Sequence, residues 1–463
     1  MKRILILTLI IAACARLQAQ PLAPATADKG SVLIKNGTVL TVTKGTLEGT
    51  DVLITNGKIA QIAKNIAAPA NTKVIDATGM FVMPGIIDAH SHAGLSAINE
   101  GTNAITPEVF TGDVVNPFDV GIYRALAGGV TASHALHGSA NSIGGESETL
   151  KHRYGVVDPE LMKMEGAPRT IKFALGENPT NHGRRNNEQP SSRMGVEFVI
   201  RKAFNEGKEY MEAWDKYNKA KAVKGFRGTP PAYSKRLETM ADIIKGNIIV
   251  HCHSYRADEI NMLLNVCKDF GVKKIVFQHT NEGFKVAPEL AAYGAMASVF
   301  ADWWAYKLEV YYSTAYNAAI LTRNGVVTTI NSDSGELIRH LYHEAAKTQK
   351  YGGLSDDEAL ALITINAAKQ LGVENRIGSL EVGKDGDVAI FKGHPLSIYA
   401  IPMTTIVDGI VRFDRDKDPD DQRVYFDPKT PIDVTVLHAA GHNHDACMQG
   451  AEDNFDALFG NNK

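Results

Sequence analysis

The sequence predicts an α/β protein in which a (β/α)8 TIM barrel carries a small β domain built from both ends of the chain. Three observations support this fold class. Short alternating runs fill residues 30–83, strand-like runs alternate with helical segments over residues 84–375, and short β runs return over residues 376–415. Repeated β–α units over such a length are typical of a barrel.

The composition is that of an ordinary globular protein. The 463 residues are 44% hydrophobic and 22% charged, which excludes a disordered chain, a collagen and a coiled coil. The net charge of −3 provides no strongly basic surface, so nucleic acid is not an expected partner. Four cysteines without a CxxC pair are too few for a disulfide scaffold.

Residues 1–19 are predicted to be a signal peptide. Lys2 and Arg3 precede a short apolar run, and small residues follow near Ala19. We therefore expect an exported protein, periplasmic or secreted. An alternative is a lipoprotein, because the residues that end in Cys14 resemble a bacterial lipobox. No later apolar run reaches membrane length, so no transmembrane helix is predicted.

The β domain and the barrel are justified by different patterns. In residues 30–83, alternating runs are separated by turn pairs such as Asn56-Gly57, which predicts antiparallel hairpins. In the barrel the third strand is expected within the weakly patterned residues 140–165. Seven clear strands are predicted at Ile86–His92, Val130–Leu136, Thr170–Leu175, Ile248–His253, Lys274–His279, Ala295–Phe300 and Val326–Ile330.

Two further segments stand apart from this pattern. Residues 178–247 form a charged insertion with an amphipathic helix at Glu197–Lys221. The insertion is either a solvated decoration or, since it opens on the catalytic face of a barrel, a lid or the contact of a homo-oligomer. Residues 430–463 are predicted to be a polar C-terminal tail.

Several predicted strands end in metal-binding or acid–base residues. His90 and His92 close the first strand, and their spacing places both imidazoles on one face. The fifth strand ends in His251 and His253, the sixth in His279, and the eighth is followed by Asp333. A packed core would not select an ionisable residue at four strand ends, so these residues indicate a functional site.

These motifs together resemble the amidohydrolase superfamily. The resemblance rests on Pro84-Gly85-Ile86-Ile87-Asp88-Ala89-His90-Ser91-His92, the later strand ends, and the segment from Asn375 to Asp387. It covers residues 30–415 and is nearest to imidazolonepropionase-like and prolidase-like members. It implies a metal-dependent hydrolase whose barrel carries a small β-sandwich domain.

The resemblance also implies the roles of particular residues. His90 and His92 match the first-strand metal ligands, His253 and His279 match the ligands of the fifth and sixth strands, and His251 is a neighbour on the same face. Asp333 matches the aspartate that touches metal and carries a proton. From their position just past His253, Tyr255 and Arg256 are also candidates for binding substrate. A guanidinium suits a substrate carboxylate, and a surface salt bridge is the alternative role of Arg256.

The bridging ligand has two candidates. Lys172 stands where many relatives place an N-carboxylated lysine on the fourth strand, and it is the favoured choice. Glu177, at the end of that strand, matches relatives that use a glutamate instead. The two positions differ by an odd number, so an unbroken strand could not direct both side chains inward.

The expected reaction is hydrolysis of a C–N bond in an amide, dipeptide or cyclic amide. One or two divalent ions, Zn²⁺ foremost, would lower the pKa of a bound water, and Asp333 would move its proton to the leaving nitrogen. The substrate would be a small molecule or short peptide. One alternative is a metal-dependent deaminase, which a missing bridging ligand would favour. Another is a non-catalytic exported metal- or solute-binding protein, which would need no proton shuttle.

Overall fold

A computed structural model describes residues 30–303 and 307–417, which form two eight-stranded sheets. The predicted signal peptide, Cys14 and the predicted tail at 430–463 lie outside the described residues. Within the described ranges, none of the helices is long and apolar enough to cross a membrane.

The chain first contributes five strands to a sheet outside the barrel. Strands β1, β2 and β3 pair antiparallel, as the hairpin pattern predicts. Asn56 and Gly57 both have positive φ, at 50° and 74°, which is the backbone of a tight two-residue turn. The five strands are β1 (Val32–Leu40), β2 (Thr46–Thr55), β3 (Lys58–Ala63), β4 (Lys73–Asp76) and β5 (Met80–Pro84).

The next eight strands form a nearly closed barrel. Neighbouring strands pair in chain order from the first to the eighth. At the gap between the eighth strand and the first, the backbone N–H of Asp333 donates to the carbonyl of His90. The strands are β6 (Ile86–Ser91), β7 (Val130–Ala135), β8 (Ile143–Lys151), β9 (Arg169–Ala174), β10 (Ile248–Ser254), β11 (Ile275–His279), β12 (Met296–Val299) and β13 (Thr328–Ile330).

The third barrel strand departs from the predicted (β/α)8 pattern. Strand β8 lies within residues 140–165 as expected, but it runs antiparallel to both β7 and β9. The reason is the short connection at residues 136–142, because a parallel crossover needs a dozen or more residues. The expectation of eight parallel β–α units is therefore wrong at this position.

Helices cover the outside of the barrel, and three of them lie in the segment between β9 and β10. The α-helices are α1 (Val120–Ala127), α2 (Glu177–Asn186), α3 (Arg193–Lys221), α4 (Lys235–Lys245), α5 (Ala257–Phe270), α6 (Ala287–Tyr293), α7 (Asn317–Arg323), α8 (Leu341–Gly352), α9 (Asp356–Ala361) and α10 (Ile365–Leu371). Short 3₁₀ helices lie at Thr111–Val114, Pro159–Met162, Gly283–Lys285, Leu308–Val310 and Leu337–His340.

Helix α3 shows why this segment is attached to the barrel rather than solvated throughout. Its first half buries residues at helical spacing, among them Val196, Ile200 and Phe204, while its second half has no buried residue. The Phe204 ring stacks on Phe270 of α5 at 5.1 Å between ring centres. The predicted amphipathic helix thus begins earlier than expected, at Arg193.

The chain returns to the first sheet at its C-terminal side. Strands β14 (Val388–Lys392), β15 (Ile401–Val407) and β16 (Ile410–Asp414) join it, β14 pairing antiparallel with β5. This sheet therefore draws strands from both ends of the described chain. Its pairing connects all eight strands into one sheet, and the two-layered sandwich is not confirmed by it.

A buried ion cluster joins this sheet to the barrel. The Lys151 ammonium, at the end of β8, lies 2.6 Å from a carboxylate oxygen of Asp387 and 3.0 Å from those of Asp385 and Asp408. Arg153 adds a second cation, 2.7 Å from Asp408. The segment from Asn375 to Asp387 thus supplies two of the aspartates, which gives part of that sequence motif a structural role.

Candidate metal centre

Side chains from three strand ends meet at the mouth of the barrel. The Nε2 atoms of His90 and His92 lie 3.4 Å and 3.2 Å from Oδ1 of Asp333, and Nε2 of His279 lies 3.6 Å from its Oδ2. Ligand atoms of His90, His279 and Asp333 all fall within 4.8 Å of one another. Three of the sequence-predicted ligands therefore form a compact donor set, with His92 beside it.

Left-handed backbone at two of these residues directs their side chains into the mouth. His279 has φ of 66° and Asp333 has φ of 41°, backbone conformations that residues other than glycine rarely adopt. Asp333 is held there by its own N–H, which donates to the carbonyl of His90 at 3.1 Å. Strained backbone of this kind is concentrated at functional sites.

The ring nitrogens of the first-strand pair are oriented by acceptors on their far sides. Nδ1 of His92 lies 2.8 Å from the carbonyl of Leu136, which can only accept, so this nitrogen carries the hydrogen. Nδ1 of His90 lies 3.0 Å from Oε1 of Gln278, which likewise accepts. Nε2 of His90, and Nε2 of His92 when that ring is neutral, then turn a lone pair towards the Asp333 carboxylate. Acceptors that face acceptors need a cation between them. The Lys172 ammonium, whose Nζ lies 3.2 Å from Nε2 of His90, is one such cation, and a metal ion would satisfy the same need.

The fifth-strand histidine stands next to this group. His253 is fully buried, and its ring centre lies 4.7 Å from that of His279. Among the described residues, neither ring nitrogen of His253 or of His279 has a hydrogen-bond partner. Buried polar atoms are almost always paired, so these nitrogens fit ligands for a group that the protein alone does not supply.

The protonation states suit metal binding. Burial lowers the pKa of His279 to about 3 and holds the pKa values of His90 and His253 well below the usual value, so all three rings are neutral at pH 7. Burial alone would raise the pKa of Asp333, but its contact with His92 and the positive charge of Lys172 outweigh burial and keep the carboxyl ionised. Neutral imidazole and carboxylate are the forms that bind divalent metal.

The two bridging candidates occupy different surroundings. Lys172 is buried on β9, and its Nζ lies 3.2 Å from Nε2 of His90, inside the donor set. Glu177 is the first residue of α2 rather than part of the strand, and its carboxylate lies 3.3 Å from the ammonium of Lys307. The Lys172 amine therefore contacts a candidate histidine ligand, whereas the contact described for the Glu177 carboxylate is with Lys307.

A cavity of about 810 Å³ is lined in part by residues that follow the end of β10. The Arg256 guanidinium lines it, although it is paired with Asp258 at 2.9 Å. Tyr255 is buried, and its ring stacks on His279 with 5.5 Å between ring centres. The remaining lining residues are Glu177, Arg193, Ala257, Asp258, Glu282, Lys285, Leu308, Glu309, Tyr311 and Tyr312.

Two residues that the sequence analysis did not select also build the site. Asp88, two positions before His90, accepts the backbone N–H of Ser332 at 3.1 Å and so ties β6 to the loop that carries Asp333. Lys307 lies 4.2 Å from the Tyr255 ring centre and contacts Glu177 and Glu309 of the cavity wall. The even spacing of Asp88 and His90 was a usable signal, whereas nothing local marks Lys307.

Sequence comparison supports one family. A profile of the amidohydrolase family matches residues 81–420. Amidohydrolase tasK of Hapsidospora irregularis is 31% identical over 393 residues, which are 79% of this chain and only 40% of that relative. Imidazolonepropionase of Thermoplasma volcanium is 25% identical over 369 residues, which are 74% of this chain and 84% of that enzyme.

Solved structures agree with the sequence matches. A crystal structure of an amidohydrolase from Thermotoga maritima MSB8 has a TM-score of 0.75 and 33% identity, and the match covers 83% of this chain and all of that one. An adenosine deaminase from Xanthomonas campestris, solved with bound zinc, has a TM-score of 0.50 and 17% identity over 92% of this chain and 99% of that chain, which shows a shared fold.

Proposed function

Because the chain belongs to the amidohydrolase family, whose enzymes depend on metal, we propose that it hydrolyses a C–N bond of an amide, dipeptide or cyclic amide. The observation that carries this proposal is the convergence of histidine lone pairs and an ionised aspartate at the mouth of the barrel. A small molecule or short peptide fits the volume of the cavity that Arg256 lines.

The residues that would hold metal are those of the donor set and its neighbours. A divalent ion, Zn²⁺ by preference for nitrogen and oxygen ligands, would make water nucleophilic at neutral pH and polarise the scissile carbonyl. The ligands we assign to one or two such ions are His90, His92, His253, His279, Asp333 and an N-carboxylated Lys172.

The chain's own proton carrier is Asp333. Its carboxylate is ionised, and the backbone bond to His90 fixes its position, so it can take a proton from water and pass it to the leaving nitrogen. Tyr255, which stacks on His279, and Arg256, which lines the cavity, would position the substrate. The location of Lys172 favours a bridged centre, and therefore hydrolysis over deamination.

Amine release from a panel of dipeptides, N-acyl amino acids and cyclic amides tests this function. The protein is stripped with a chelator, and aliquots are reloaded with Zn²⁺ or left without metal. We expect release by the reloaded enzyme and loss of at least about 100-fold without metal, because metal supplies several kcal/mol of transition-state stabilisation. Metal binding without release from any member of the panel would contradict hydrolysis and support a deaminase or a binding protein.

Lys172, rather than Glu177, is expected to carry the bridging carboxylate. Protein prepared with ¹³C-bicarbonate should show a lysine carbamate resonance by ¹³C NMR. Lys172→Met should lose that resonance and also lower the metal content, since the side chain lies against His90. Glu177→Gln is the matched control and should keep both, because its partner is Lys307. Loss of metal in the Glu177 variant alone would reverse the assignment.

Homo-oligomerisation and export remain part of the proposal. The three helices between β9 and β10 include an exposed second half of α3, which offers a surface for a second copy. An exported, periplasmic or secreted protein, lipid-anchored if Cys14 is modified, follows from the sequence pattern at residues 1–19.

A further inference from the structure

Gln278 joins the donor set to a deeper histidine inside the barrel. It is the residue immediately before His279, and its amide lies between two imidazoles. Oε1 is 3.0 Å from Nδ1 of His90, and Nε2 is 2.9 Å from Nδ1 of His251. The three side chains that make these contacts are fully buried, so water does not compete for the contacts.

The chemistry of an amide makes this contact directional. Its oxygen can only accept and its nitrogen can only donate, so the amide as placed requires a hydrogen on Nδ1 of His90 and none on Nδ1 of His251. His90 then has a lone pair on Nε2, the atom that faces Asp333 at 3.4 Å. A reversed amide would put the hydrogen on Nε2 instead and remove that lone pair from the centre.

On its other side the Gln278 amide meets His251. Its Nδ1 accepts the Gln278 amide hydrogen, and its ring is packed against His134 with 4.3 Å between ring centres. His134 is in turn tethered through Nε2, which lies 2.7 Å from the hydroxyl of Thr170 on β9. A chain of contacts therefore runs from β9 through two histidines to the amide, and it ends on His90.

We propose that Gln278 is a positioning residue: it holds His90 in the tautomer that offers Nε2 to a metal ion and so sets the metal affinity of the centre. This inference rests on the proposed function, because it assumes that His90 is a ligand. It assigns a role to Gln278 and His251 beyond packing, since neither side chain is a proposed ligand.

Competition with a chromophoric chelator, using Zn²⁺ alone as the probe, tests the proposal through the dissociation constant. Gln278→Met keeps the volume but loses the acceptor, and we expect Zn²⁺ binding to weaken by roughly 10–100-fold. Gln278→Glu restores an acceptor for Nδ1 of His90, so its affinity should stay within about threefold of the wild type, as one intact hydrogen bond to the ligand predicts.

Gln370→Met is the matched control. Gln370 is another fully buried glutamine, bonded to the carbonyl of Ala297 at 2.9 Å and to Thr329 rather than to the donor set. Its loss should lower the melting temperature and leave the Zn²⁺ dissociation constant unchanged. If Gln278→Met does not fold, His251→Leu, which removes the acceptor of the amide hydrogen, should weaken Zn²⁺ binding by the same route.

The possible outcomes distinguish a failure of the metal centre from a failure of the positioning role of Gln278. A wild type that does not bind Zn²⁺ overturns the metal centre and with it the proposed function. A wild type that binds, with an equal constant in folded Gln278→Met or His251→Leu, overturns only the positioning role. Equal weakening in Gln278→Met and Gln278→Glu also overturns it, because the acceptor at His90 would then be irrelevant.

Discussion

Asp333→Asn is expected to abolish turnover, by at least about 10²–10⁴-fold, while the protein stays folded and binds metal at saturating concentration. A carboxamide has almost the same shape as the carboxylate, so the surrounding side chains need not move. It has no basic oxygen, however, and cannot take a proton from water. The hydrogen bond from the backbone N–H of Asp333 to the carbonyl of His90 does not involve the Asp333 side chain, so the substitution does not affect it.

The measurement is the rate of amine release per metal-loaded protein, beside metal content and circular dichroism. Asp302→Asn is the matched control, because Asp302 follows β12 and pairs with Lys347 rather than with the histidines. It should retain turnover within about twofold, as expected for a surface ion pair. Full activity in Asp333→Asn would exclude this residue as the proton carrier.

Lys151→Met is expected to produce the largest loss of stability, about 3–5 kcal/mol of unfolding free energy. The ammonium is fully buried and touches Asp385, Asp387 and Asp408 at once. Its removal leaves three carboxylates close together, with less positive charge to offset their repulsion. Lys151 ends a barrel strand, and the aspartates lie just before β14 and in the turn between β15 and β16, so the contact between the two sheets should weaken first.

Urea denaturation followed by circular dichroism measures this effect. Lys58→Met is the matched control, because Lys58 also pairs with Asp385 but its side chain is 44% exposed. Water screens the half-exposed Lys58 ammonium, and the buried Asp385 keeps Lys151 and Arg376 as partners, so the control should lose only about 1 kcal/mol. Equal losses in the two variants would show that burial of the Lys151 ammonium is not what stabilises the junction.

Much of the fold and of the site was accessible from local pattern. Apolar runs located the barrel strands, and the Asn56-Gly57 pair marked a hairpin turn, because both signals depend on neighbouring residues. The donor residues could be found because parallel strands end at the same edge of a barrel. His90, His92, His279 and Asp333 are therefore neighbours in space although they are distant in sequence.

Features that depend on distant partners were not accessible in this way. Strict alternation would direct His279 and Gln278 to opposite faces, but the positive φ of His279 turns its ring into the mouth while Gln278 stays inside the barrel. The roles of Gln278 and Lys307 depend on residues of other strands and loops. Likewise, Asp385 and Asp387 stand in a recognisable motif, but only the fold reveals their partner, Lys151.

The sequence by itself determined the periodicity of the strands, the ionisable residues at their ends and the family to which the chain belongs. The tertiary structure alone decided that β8 runs backwards, that Lys172 rather than Glu177 contacts His90, and that one amide orients a candidate ligand. The physical reason is how far apart along the chain the interacting residues lie. Backbone pattern is set by residues a few positions apart, whereas hydrogen bonds and ion pairs in the interior join residues that only folding brings together.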